Sequence, residues 1–244
     1  MKSVHILQNR TNPLSWSELP WGECYRETLE QELQPWWPKL FGFHLLKLGD
    51  LSVPLVTDKC GILHQVNVGL AGSGLQVIAK SYPLPFITKS VDACLLAHTL
   101  CYAEDPCRLL REVDRVLIDN GWLLISGFNP FSLLGLYTLL LWLRKHGLRK
   151  HEPYISYTFS QIRILNWLSL LNYEVLHQAR FHVIPWEHKS DKFLCAHLLA
   201  LGCMSVIVAR KRTSPLTPTR LKRCTRRSSL DHAIGVIKSY RNFS

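Results

Sequence analysis

No two of the eight cysteines are spaced C-x-x-C, and no apolar stretch is long enough to cross a membrane. The longest, Phe131 to Leu143, falls short of the roughly 18–20 residues that a spanning helix needs. The opening residues Met1 to Arg10 lack the apolar core of a signal peptide. Neither a zinc site nor a disulfide framework is signalled, so the cysteines read as small buried hydrophobes of a cytosolic protein. Charged residues are scarce, 19% against 47% hydrophobic. That excludes disorder throughout and predicts a real core.

Acid is what the C-terminal end lacks. From Arg210 onward ten Lys or Arg stand against Asp231 alone, whereas the preceding 209 residues carry 19 basic and 17 acidic side chains. The +11 net charge therefore describes a near-neutral body over residues 16–212 with a basic tail over 213–244, preceded by a flexible arm over 1–15. Prolines, serines and arginines with few large apolar residues predict a mostly disordered tail. Its charge between 210 and 227 suits a solvated end, peripheral contact with anionic lipid at the inner face of a membrane, or contact with nucleic acid. So few aromatics interleave the charges that base stacking is disfavoured.

Within the body, Trp21 to Leu33 has Tyr25, Leu29 and Leu33 at four-residue spacing with glutamates between, an amphipathic helix stopped by Pro35 and Pro38. Phe43 to Gly49, His64 to Val68 and Leu75 to Ala79 read as strands. Lys80 to Phe86 is a loop, Val91 to Ala97 a buried strand and Pro106 to Leu117 a helix whose Leu109, Leu110, Val113 and Leu117 share a face. Asp119-Asn-Gly121 is a turn and Trp122 to Ser126 another buried strand. Strand, helix, turn and strand with wholly apolar strands is the βαβ pattern of a parallel sheet covered on both faces. Helices over 159–171 and 192–201 and strands over 173–181 and 204–209 complete about seven strands, a doubly wound α/β sheet.

The run Tyr82-Pro-Leu-Pro-Phe86, Lys89-Ser-Val-Asp92, Ala97-His-Thr-Leu100, Asp105-Pro106, Leu110-Arg-Glu112, Arg115-Val-Leu117 and Asn120-Gly121 resembles the second half of a class I S-adenosylmethionine-dependent methyltransferase. The small-molecule and lipid branch of that family is the nearest in pattern. The resemblance implies a Rossmann-like seven-stranded sheet with its last strand antiparallel, and S-adenosyl-L-methionine bound above the C-terminal ends of the first strands. It places Gly49, Asp50, Asn67, Lys80, Ser81, Leu84, Ala97 and His98 around the cofactor. Asn129, Phe131 and Trp142 would meet a small-molecule or lipid-like acceptor under a helical insertion over about 128–158. His98 is the candidate catalytic residue, since a neutral imidazole there can take the acceptor's proton; a histidine bonded to a loop carbonyl is the plainer alternative.

The first half departs from the family's pattern. Of three glycines expected after the first strand only Gly49 is present, with Leu51 and Val53 at the other places and Lys47 at the acidic one. The second strand offers Asn67 in place of an acid, and Lys80, which has only donors, stands where an aspartate commonly meets the adenine amine. Two readings follow from the sequence: an S-adenosylmethionine-dependent methyltransferase with a shifted set of side chains, or a non-catalytic binding or regulatory protein on the same fold. A nucleic-acid-binding relative relying on its tail is a third. The apolar run 131–143, followed by Arg144-Lys145 and Arg149-Lys150, reads as a core helix or as a cap over an apolar acceptor resting at a membrane surface.

Overall fold

A computed structural model describes residues 13–19, 21–71, 73–80, 82–129, 159–181 and 203–213. Expectations for the insertion, for the apolar run with Phe131 and Trp142, for Ser81, for a helix over 192–201, for the arm up to residue 12 and for the tail beyond 213 lie outside them.

Strands β1 (His44–Leu48), β2 (His64–Gly69), β3 (Val77–Ile78), β4 (Val91–Ala97), β5 (Leu117–Phe128), β6 (Tyr173–Phe181) and β7 (Met204–Lys211) form one sheet in the order β3-β2-β1-β4-β5-β7-β6. The first five are mutually parallel, and β7 runs antiparallel to both β5 and β6. This is the doubly wound, Rossmann-like seven-stranded sheet expected from the sequence, with its last strand antiparallel. Strand order reverses beside β1, so the β1 and β4 carboxyl ends diverge and open a crevice there.

Alternation along the central strands feeds two cores. Leu46, Leu48, Cys94, Leu96, Leu123 and Ile125 pack with α3 (Pro106–Val116) and α4 (Gln161–Leu170) on one face. Leu45, Ala93, Leu95, Trp122 and Leu124 pack with Tyr25, Leu29 and Leu33 of α1 (Gly22–Leu33) on the other. Helix α3 starts where Pro106 presets the first turn and the Asp105 carboxylate accepts the Arg108 N–H at 3.0 Å. A short α2 (Thr99–Tyr102) precedes it.

Two motifs that look unrelated in sequence prove to be one clamp. The Leu84 N–H donates to Glu112 Oε2 (3.2 Å), while Arg115 donates to the carbonyls of Leu84 (3.1 Å) and Phe86 (3.0 Å) and to Glu112 (2.9 Å). Helix α3 thus fixes the proline loop, whose Tyr82-Pro83 bond is cis. Asp92 takes a structural role: its Oδ2 accepts the N–H groups of Phe43 (2.9 Å) and His44 (2.8 Å), aligning the start of β1 with β4. β3 is shorter than the expected Leu75 to Ala79, because the preceding residues are held by side chains: Gln76 Oε1 accepts the Asn67 N–H at 2.7 Å. The expected turn Asp119-Asn-Gly121 is absorbed into β5 as an irregularity, with Asn120 at φ 63° and the pairing slipping between Val91 and Ala93.

Candidate functional site

A cleft opens at the carboxyl ends of β1, β2 and β4. Leu48, Gly49, Asp50 and Leu51 form its floor, Val68, Gly69, Leu70 and Ala79 one wall, and Ala97, Thr99, Tyr102 and Ala103 the other, with Pro13 of the N-terminal segment at the rim.

The floor is a tight turn. Gly49 sits at φ 93°, ψ 146°, a region essentially reserved for glycine, and its N–H donates to the Val68 carbonyl at 2.7 Å. The Leu48 carbonyl accepts both Ser52 Oγ (2.7 Å) and Thr99 Oγ1 (2.6 Å), and Ser52 Oγ in turn accepts the Ala97 N–H (2.9 Å). The ends of β1 and β4 are thereby locked together beneath the cleft. Lys47, standing at the acidic place of the family pattern, points away from it. Its Nζ donates to the Leu55 carbonyl at 2.9 Å on the α1 side of the sheet, and burial holds its ammonium below the ordinary lysine pKa.

Asp50 is 8% exposed and opens the 3₁₀ turn Asp50–Ser52. A Cβ on Gly69 would collide with Asp50 Oδ1 and stand 3.1 Å from its Cγ, so the carboxylate lies directly against the end of β2. Sequence reasoning saw Asp50 but could not see this crossing, since residues 50 and 69 meet only through the β1–β2 register.

His98 lies between cleft-lining Ala97 and Thr99, at φ 56° with its own N–H donating to the Ser126 carbonyl at 3.1 Å. Its ring is fully buried, 4.2 Å from the Phe128 ring centroid and 5.3 Å from that of Trp16 in an edge contact. Tyr25 packs on Phe128 at 5.4 Å, and Trp16 is anchored by Nε1 donating to the Leu51 carbonyl at 2.9 Å. Among the described residues neither His98 ring nitrogen has a hydrogen-bond partner, so no loop carbonyl satisfies it. Burial among these rings lowers its pKa from 6.5 to about 3, leaving a neutral imidazole at physiological pH.

Of the other residues the sequence singled out, Gly49, Asp50 and Ala97 line the cleft with His98 behind them. Asn129 is buried at the end of β5, its N–H donating to the Cys203 carbonyl at 2.9 Å. Asn67 turns its amide to the Gly74 carbonyl (3.0 Å), Lys80 is exposed beyond β3, and Leu84 is buried in the α3-side core. Missed by the sequence were Trp16 and Gly69, whose roles depend on segments far apart in the chain. The first three basic residues of the C-terminal cluster are engaged on the body: Arg210 with the Asn120 carbonyl (3.1 Å), Lys211 with Asp114 (3.0 Å) and Arg212 with Glu174 (2.6 Å). Among the described residues no helix is long and apolar enough to cross a membrane.

The sequence model of the methyltransferase domain family matches residues 63–125, from β2 into β5. Over 241 residues the chain is 51% identical to the uncharacterized protein YafS of Escherichia coli, covering 99% of this chain and 98% of that one. Among solved structures it resembles an S-adenosylmethionine-dependent methyltransferase from Thermotoga maritima described as a possible histamine N-methyltransferase, at 20% identity and TM-score 0.54 over 79% of this chain and 93% of that one. A second such enzyme, from Mesorhizobium loti, matches at 18% identity and TM-score 0.51 over 74% and 96%. These two likenesses are of fold, and they agree with the seven-stranded sheet and its strand order. The chain thus belongs to one family with YafS, its residues 63–125 match the methyltransferase domain, and its fold is that of the class I S-adenosylmethionine-dependent methyltransferases, whose cofactor is S-adenosylmethionine.

Proposed function

We propose that the protein transfers a methyl group from S-adenosylmethionine to a small, apolar acceptor whose reacting O–H or N–H meets His98. The observation that carries this reading is a buried, neutral, unpartnered imidazole placed between two residues of the cofactor cleft. An unsatisfied buried polar group is costly, and an acceptor's donor hydrogen would satisfy it.

The residues present fit the cofactor. Gly49 and Gly69 offer backbone without side chains, Leu70 and Ala79 provide apolar wall, and the Asp50 carboxylate accepts hydroxyl hydrogens. The fit rests on Gly69, where any Cβ would displace that carboxylate. When bound, the cofactor supplies an electrophilic methyl carbon. The chain's own residues then have three tasks. The β1 turn and the end of β2 hold the ligand, Trp16, Tyr25 and Phe128 keep water from the reacting centre, and His98 receives the proton that the acceptor gives up. The apolar cleft walls, with Tyr102 and Ala103 beside the aromatic packing around His98, favour an apolar acceptor, and Asn129 at the mouth of β5 offers a polar contact.

Leu51, which fills the floor with a buried side chain where the family pattern has glycine, favours a second reading as a binding protein without turnover. Incubation with methyl-labelled S-adenosylmethionine and a total metabolite and lipid extract separates the two. The expected result is label in an organic-soluble product, reduced about 10²-fold or more in His98→Asn. Label that stays in the cofactor throughout would sink the catalytic reading.

A further inference from the structure

Nucleosides present a ribose diol, two hydroxyl donors side by side. In open α/β sheets the carboxylate that receives it stands at the end of the second strand. Here β2 ends Asn67-Val68-Gly69, and Asn67 spends its amide on Gly74. The carboxylate found at that place belongs to the turn after β1. Asp50 lines the cleft, is nearly enclosed, and occupies the space that a side chain on Gly69 would need.

We infer that Asp50 is the acceptor for the ribose diol of the cofactor, reaching from the first strand's turn into the gap left by Gly69. This inference rests on the reading that the cleft holds S-adenosylmethionine. A carboxylate offers about four acceptor sites, enough for two hydroxyls alongside the contact Asp50 makes within the protein. The exchange explains the paired oddities of the sequence. With an acid at position 50, position 69 must be glycine, and the Lys47 ammonium leaves the cleft free by turning to Leu55.

The test is calorimetric titration of the full chain with S-adenosylhomocysteine and with its 2′,3′-dideoxy analogue. The wild type is expected to prefer the diol ligand by about 10- to 100-fold. Asp50→Asn should lose most of that preference while binding the dideoxy analogue as the wild type does. Gly69→Ala, which expels the carboxylate, should weaken the diol ligand likewise, and Asp50→Gly combined with Gly69→Asp should restore it from the other strand. A wild type that binds S-adenosylhomocysteine, with Asp50→Asn binding it equally well or losing both ligands equally, overturns the role of Asp50 alone. A wild type that binds neither ligand overturns the cofactor reading and this inference with it. Thermal melts of each variant confirm that the compared proteins are folded.

Discussion

Gly49→Ala is expected to lower the stability of the protein by about 4 kcal/mol, summing roughly 1–3 kcal/mol for a backbone conformation closed to other residues and 1–3 kcal/mol for overpacking. Both contributions have visible sources. The residue holds φ 93°, and a Cβ there would stand 2.5 Å from Thr99 Oγ1, which is already bonded to the Leu48 carbonyl. The Thr99 bond that this Cβ would disturb helps tie β1 to β4 at the cleft floor, so the loss should extend to ligand binding. Urea denaturation of Gly49→Ala and of Gly49→Ala with Thr99→Ala separates the two parts. The double variant should recover the steric share and retain the conformational one. A loss below about 1 kcal/mol in the single variant would mean that the turn is looser than described.

His98 should make the protein acid-sensitive in a way that one substitution removes. Its pKa is about 3 in the folded state against an ordinary 6.5. Between those values the unfolded chain binds a proton that the folded chain does not. Stability therefore rises with pH across this window, and the stability lost in acid is fully regained above pH 6.5. At pH 4.5, two units below the unfolded value, the loss is about 2–3 kcal/mol. His98→Asn keeps a residue that tolerates positive φ and does not titrate in this range. Carboxylates add their own slope to both proteins, so the difference in slope isolates the imidazole. Denaturation at pH 7.5, 6 and 4.5 is expected to show a flatter profile for the variant; equal slopes would place a proton on the folded His98.

The sheet was legible because its signals are local. Wholly apolar strands around an amphipathic α3, with Asp105-Pro106 at its start, prescribe the βαβ core without reference to distant residues. The cleft was legible only in part. Lys47 looks obstructive in sequence, yet strand alternation carries its side chain to the α1 face. Leu84 was expected around the cofactor, but α3 takes its N–H and carbonyl through Glu112 and Arg115. The approach of Asp50 to Gly69 and the closure of His98 by Trp16 arise from strand register and from an N-terminal segment folding back over 80 residues, and neither follows from spacing.

All of these readings depend on a working nucleoside site in a cleft whose turn after β1 keeps one of the three glycines of the family pattern. Calorimetric titration of the purified chain with S-adenosylmethionine and S-adenosylhomocysteine, beside a thermal melt, tests that most directly. Dissociation constants in the micromolar range, near −8 kcal/mol, are the result expected from the cleft formed by Gly49, Asp50, Gly69 and Ala97. No heat of binding up to millimolar ligand, from a protein that unfolds cooperatively, would contradict the account.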